Sequence, residues 1–366
     1  MTRFITLSTG NKMFVKIKEF TECNFQLVSP YVLLKQDKAI LFVENDFKVF
    51  HTIQVDKYLF SVANKFFLLI NHDFEGRITL INIQTLFKTC IDTNKSGNVV
   101  LHNQFLFWQT YNKDFSIYFI EFFDILSQKF LWKKELKYGN LFFFSNNILL
   151  QIGGAILKLD ESTGATLWQK ELGAGTFRRG LKELEIKISQ LVGMWENQLL
   201  VWMNNEQLIC LDANTGTELW RVTDFFKQFL PGWQSVSQFS FVYCHIENGK
   251  LYQLDGDSYW SLDLATQRFE LLWQDTQEEY LTIIHKTYTE DFIYFTASRT
   301  YGLVPYLIGV FNRKTLSIDW LHDMTLPQNT ENKFCNSLNQ APQVDGDKLY
   351  VLDSGGTLHI FEKESD

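Results

Sequence analysis

Short apolar runs broken by turn residues set the rhythm of this chain. From Gly139 to Leu172 the sequence divides into four such runs: Leu141 to Ser145, Ile148 to Ile152, Ala155 to Leu159 and Thr166 to Glu171. Between them stand Asn146-Asn147, Gly153-Gly154 and Ser162-Thr163-Gly164. These residue types form turns, through local side-chain hydrogen bonds or through free choice of φ. Short runs with β-branched and aromatic content, separated by a few turn residues, predict the strands of an antiparallel meander. None is long enough for a helix.

The unit closes on a phrase that recurs. It reads STGATLWQKEL from Ser162, NTGTELWRV from Asn214 and STGNKMF from Ser8. Looser copies run from Ser127 to Trp132, Thr315 to Trp320 and Thr85 to Cys90, and from Thr266 to Trp273 with two residues added. An acidic or amide residue precedes each of six turns, at Asn82, Asp124, Asp160, Asp212, Asp263 and Asn312. That regular spacing predicts turn capping by side chains that bond nearby backbone N–H groups.

A lone four-stranded sheet leaves a face bare, so the units must stack, and stacked radially they make a propeller. The aromatic position of the repeat falls at Phe14, Phe50, Cys90, Trp132, Trp168, Trp220, Trp273 and Trp320. This predicts an all-β propeller of eight four-stranded antiparallel blades of roughly 45 residues each, with seven as the alternative because residues 20–95 follow the frame weakly. The whole chain, 1–366, reads as one domain. Residues 346–366 supply the inner strands of the last blade, residues 1–18 its closing strand, and 19–345 the successive blades, so that no edge is left free.

The composition, 46% hydrophobic with 34 Phe among 366 residues, supplies a core and excludes general disorder. A formal net charge of -8 argues against a nucleic-acid partner, which needs clustered Lys and Arg. Cys23, Cys90, Cys210, Cys244 and Cys335 are scattered, as reduced thiols are, and no apolar leader follows Arg3. The expectation is a cytoplasmic monomer without membrane insertion.

Motifs for chemistry are lacking. The seven His residues show no HExxH or paired ligand spacing, and no GxSxG or GxxxxGK[ST] occurs. No catalytic residue, metal site or cofactor is predicted.

APQVDGDKLYVLDSGGTLHIF, ILKLDESTGATLW and LICLDANTGTELW resemble the repeats of pyrroloquinoline-quinone-type propellers. The resemblance is strong over about residues 100 to 365 and weak between residues 20 and 95. It implies that Trp132, Trp168, Trp220, Trp273 and Trp320 dock against the next blade. The family includes quinone-dependent dehydrogenases and inert scaffolds, among them the lipoprotein of the outer-membrane assembly machine. The enzymes' adjacent Cys-Cys pair is missing here, so the resemblance implies the non-enzymatic branch.

Function is then expected on loops that the scaffold holds in place. Three long connections follow an outer strand: Glu171 to Lys187, Thr223 to Gln234 and Leu321 to Gln340. Sharing one stage of the repeat, they are expected on one face. Phe177, Arg178, Arg179, Phe226, Phe229 and Trp233 are the candidate contacts for a protein partner, being the aromatic and Arg types enriched at interface hot spots. The bland reading makes the aromatics caps on adjacent blades. The alternative function is a small-ligand or quinone-dependent site in the central channel.

Overall fold

The computed structural model describes residues 14–364 except 21–22, 29–30, 37–38, 45, 55–59, 64–66, 72–76, 87, 93–97, 103, 112–117, 137–138, 145–146, 180, 226–227, 229–243, 257, 275–280, 300–303, 325–336 and 339. The described residues form eight four-stranded antiparallel sheets and one two-stranded hairpin. The chain is an all-β propeller of four-stranded blades, as the repeat predicts.

The first blade is β2–β5 (Cys23–Val28, Tyr31–Gln36, Ala39–Val43, Val49–Gln54), and the second is β6–β9 (Phe60–Ala63, Phe67–Asn71, Arg77–Asn82, Lys88–Asp92). The third is β10–β13 (Asn98–His102, Phe105–Tyr111, Tyr118–Asp124, Lys129–Leu136), and the fourth is β14–β17 (Asn140–Phe144, Asn147–Ile152, Ala155–Leu159, Thr166–Glu171). The hairpin β18–β19 (Thr176–Arg179, Lys182–Glu185) precedes the fifth blade, β20–β23 (Ile188–Trp195, Gln198–Met203, Leu208–Asp212, Glu218–Val222). The sixth is β24–β27 (His245–Glu247, Lys250–Leu254, Ser258–Asp263, Phe269–Gln274). The seventh is β28–β31 (Leu281–Tyr288, Phe292–Arg299, Leu307–Asn312, Ser317–Asp323). The eighth joins β32–β34 (Gln343–Asp345, Lys348–Leu352, Leu358–Lys363) to β1 (Phe14–Phe20).

The chain divides into two compact units, residues 57–249 and residues 1–56 with 250–366. Within the 57–249 unit, consecutive blades bury apolar faces against each other. Ile78 and Leu80 of the second blade pack with Leu106 and Trp108 of the third. Phe107, Phe122 and Trp132 of the third pack with Ile148, Leu150 and Leu157 of the fourth. Leu149, Ile156 and Trp168 of the fourth pack with Leu199, Val201 and Ile209 of the fifth.

The other unit is built the same way. Leu254 and Tyr259 of the sixth blade meet Ile293 and Phe295 of the seventh. Tyr294 and Val310 of the seventh meet Leu349 and Phe361 of the eighth. Tyr350 and Ile360 of the eighth meet Val32 and Leu34 of the first. The closing strand forms as predicted: β1 pairs antiparallel with β34 from Phe14 opposite Lys363 to Phe20 opposite Leu358. This supplies the fourth strand of the eighth blade and covers an edge that would otherwise present unpaired backbone groups.

One irregularity explains where the repeat aromatic points. In every blade but the second, the pairing of third and fourth strands slips by one residue. The extra residue turns outward, and the following one faces the next blade. Leu131, Leu167 and Leu219 are these bulged residues, and they are exposed. Trp132 and Trp168 come next and are buried. The frame corrects three sequence assignments. Phe50 is itself the bulged residue of its strand, and His51 takes the pairing place that Trp holds elsewhere. Phe14 lies before the bulge of β1 and receives an indole instead of donating one: its ring sits 5.4 Å from Trp320. Cys90 lies on the strand without a bulge, where Thr89 opposite Leu80 takes the docking place, and Cys90 is exposed.

Candidate interaction surface

The predicted acid-and-amide series caps its turns. Asp212 Oδ1 accepts the backbone N–H groups of Asn214 and Thr215, both at 2.8 Å. Asp160 Oδ1 accepts those of Ser162 and Thr163 together with both hydroxyls. Asp263, Asp124, Asn82 and Asn312 repeat the arrangement. Hydrogen bonds from the two hydroxyls hold the Asp160 carboxyl below the usual carboxylate range, and backbone N–H groups do so for Asp212 and Asp263. These carboxylates organise the loops and are occupied in doing so.

The turns of Asp160 and Asp212 then seat the preceding blade's indole. Trp132 Nε1 donates to the Glu161 carbonyl at 2.7 Å, and Trp168 Nε1 to the Ala213 carbonyl at 3.0 Å. Gly164 and Gly216 lie beneath the two rings at positive φ, where an added Cβ would come within 2.6 Å of Trp132 and 2.8 Å of Trp168. Lys134 and Lys158 add a second link, their Nζ atoms donating to the Gly164 and Ala213 carbonyls, and partial burial lowers both pKa values.

The opposite ends of the strands carry the long connections. The first of these contains an unexpected element, the β18–β19 hairpin, paired from Thr176 opposite Glu185 to Arg179 opposite Lys182. Phe177 is half-buried, Arg178 is exposed, and Leu181 at the tip is fully exposed at 106%. The hairpin's base is fixed to the turn between β21 and β22. Lys187 N–H donates to Asn204 Oδ1, and Asn204 Nδ2 donates to the Glu185 carbonyl, both at 2.8 Å.

The second long connection reaches the same turn. Phe225 N–H donates to the Glu206 carbonyl, and the Phe225 ring, wholly buried, meets Trp202 edge-on at 5.7 Å. One helical bond follows, from Gln228 N–H to the Asp224 carbonyl. The structure therefore brings the first two connections together around Asn204–Glu206, and for Phe225 the capping reading holds. Phe226, Phe229 and Trp233, the Arg179 side chain, and residues 325–336 of the third connection lie outside the described residues. The sequence signal for the hairpin was present in Phe177 and Leu184 flanking Gly180, but one short strand pair has little periodicity to show.

Among the described residues no group of His, Cys, Asp and Glu could hold a metal ion. No helix among them is long and apolar enough to cross a membrane.

Residues 152–267 match the family described as "Outer membrane protein assembly factor BamB". Over that stretch the chain resembles BamB and propeller repeats of the pyrroloquinoline-quinone-like type. No curated protein matches it in sequence. BamB from Moraxella catarrhalis superposes with a TM-score of 0.59 at 12% identity, over 95% of this chain and 99% of that one. The C-terminal WD40 domain of Sif2 gives 0.61 at 10%, over 97% and 99%. A quinohemoprotein alcohol dehydrogenase from Pseudomonas putida HK5 gives 0.55 at 8%, over 97% and 77%. At these identities the likeness is one of fold.

Proposed function

We propose that this propeller is a non-enzymatic scaffold of the assembly-factor type, holding a protein partner on the surface around the β18–β19 hairpin. The supporting observation is the convergence of that hairpin and the Asp224–Gln228 turn on Asn204–Glu206. The match of residues 152–267 to the BamB description covers this stretch. Arg178 is exposed and of a type enriched at interface hot spots, and Leu181 beyond it is fully exposed. Phe177, Arg179, Phe226, Phe229 and Trp233 complete the proposed contact set. A monomeric chain in a reducing, cytoplasmic setting is proposed with it, in keeping with the free thiols of Cys90 and Cys210.

The test is capture of a purified partner by chains carrying Trp233→Ala, or Arg178→Glu with Arg179→Glu. Each change should weaken binding about tenfold or more while leaving the melting temperature within about 2 °C. Melting of the Trp233 variant, with capture intact in its folded fraction, would make that residue a packing cap. The second reading, a quinone or other small ligand in the channel, draws on the dehydrogenase fold neighbours. A quinone absorbance band in protein purified from its own host would favour it.

A further inference from the structure

The seat of the closing strand is built around two histidines. Trp320, on β31, stacks on His322 at 5.5 Å with the planes 5° apart. It also packs on Phe14 of β1 and on Phe361 of β34, and His322 meets Phe361 edge-on at 5.3 Å. On the same pair of strands, His359 of β34 is buried, with its Nε2 3.0 Å from Asp353 Oδ2. That carboxylate also accepts the backbone N–H groups of Gly355 and Thr357.

The charges facing the two imidazoles come from four places. Lys16 of the closing strand acts on both, Asp353 acts on His359, Asp323 and His359 act on His322, and Glu19 of β1 pairs opposite His359. Burial is the largest influence on each, Lys16 adds to it, and together they outweigh the carboxylates, so both pKa values lie below the usual value. The Trp320 face would attract a cation at His322, which works in the same direction as the carboxylates.

We propose that the closing strand is a pH-sensitive strap, seated at neutral pH and loosened when His322 and His359 take up protons. The sign follows from the depressed values. Both imidazoles are neutral in the folded blade, so their contribution is complete above the unfolded value of about 6.5 and declines as pH falls below it. Protonation adds two cations within electrostatic reach of Lys16, and the element that can relieve this by leaving is β1, because Lys16 travels with it. The consequence is an acid-triggered opening of the last blade, which would bare the backbone edge of β34 as a site for another strand.

The test is amide hydrogen exchange of residues 14–20, corrected for intrinsic rates, at about pH 7.5 and about pH 5. Wild type should lose protection about tenfold or more at the lower pH, while β20–β23 stays unchanged. A chain with His322→Gln and His359→Gln should keep its protection at both values. Equal wild-type protection at the two pH values, or the same loss in the double variant, would overturn the proposal. So would a loss shared equally by β20–β23. If the double variant does not fold, Lys16→Met serves: it removes the shared cation and should shrink the acid-induced loss, and an unchanged loss counts against the strap.

Discussion

The junction between the second and third blades and the one between the fourth and fifth are made by different means. At the later junction a bulge after Glu171's strand begins places Trp168 over Gly216, its Nε1 bonded to the Ala213 carbonyl. At the earlier one β8 and β9 pair without a slip, the docking place holds Thr89, and no indole crosses. The receiving turn has changed with it. The place of Gly216 is taken by Gln128, whose side chain would occupy the volume an indole needs, and Gln128 is exposed. Aromatic area comes instead from the receiving blade, where Trp108 packs on Phe123 and Phe130. A buried clasp thus needs three local features together: a bulge, a Trp after it and a Gly in the neighbour's turn.

The remaining tryptophans sharpen that lesson. Trp132 and Trp168, which lie over glycines, are each 9% exposed. Trp273 is half-buried and meets Phe311 instead, and Leu316 holds the glycine's place in the turn of that blade. The glycine permits closer approach, because a ring cannot lie flat on a turn that carries a Cβ.

The comparison is broken most sharply by deleting the clasp. Trp168→Ala should destabilise the protein by about 3 to 5 kcal/mol in denaturant titration, the range for emptying a buried aromatic site. Cys90→Ala at the unclasped junction should change stability by less than about 0.5 kcal/mol. An unchanged midpoint for the Trp168 variant would show that the indole contributes little to holding the blades.

Gly216→Ala should cost less, on the order of 1 to 3 kcal/mol, by overpacking against Trp168 and by forcing Ala to positive φ. Combined with Trp168→Ala, the steric part should vanish, so the double variant should be more stable than the sum of the two losses predicts.

Thiol chemistry separates the two regions without mutation. Cys90 should react with a thiol reagent in the native state. Cys210, wholly buried and with its thiol pushed up to about 12, should react only on unfolding. Equal labelling of both would place Cys210 on a surface that opens readily.

The smallest effect concerns the turn carboxylates. Asp160, Asp212 and Asp263 have depressed values, so each contributes stability that is present above the unfolded value of about 3.9 and lost as pH falls through the folded one. Asp212→Asn should retain the acceptor oxygen and flatten part of the acid limb of a stability-versus-pH curve. An acid limb identical to wild type would remove the carboxylate charge from the account of these turns.

Much of this was legible in the sequence because it is local. Apolar runs spaced by turn formers specify a meander, and each Asp or Asn three places before a Thr or Ser specifies a cap, since every partner lies within a few residues. The matching truncation at the two ends announced the pairing of β1 with β34. The tertiary structure decided which residue after each turn faces its neighbour, because one bulged residue reverses the alternation of side chains along a strand. Phe50, itself the bulged residue, and Cys90, on the strand without a bulge, therefore fall outside the docking register, and Phe14, before the bulge of its strand, became a receiver. It also decided that the β18–β19 hairpin and Phe225 would meet at Asn204–Glu206, and that Lys16 would come within electrostatic reach of His322 and His359. Those contacts join residues far apart in the chain, and no local pattern records a meeting that only the packing of one blade on the next brings about.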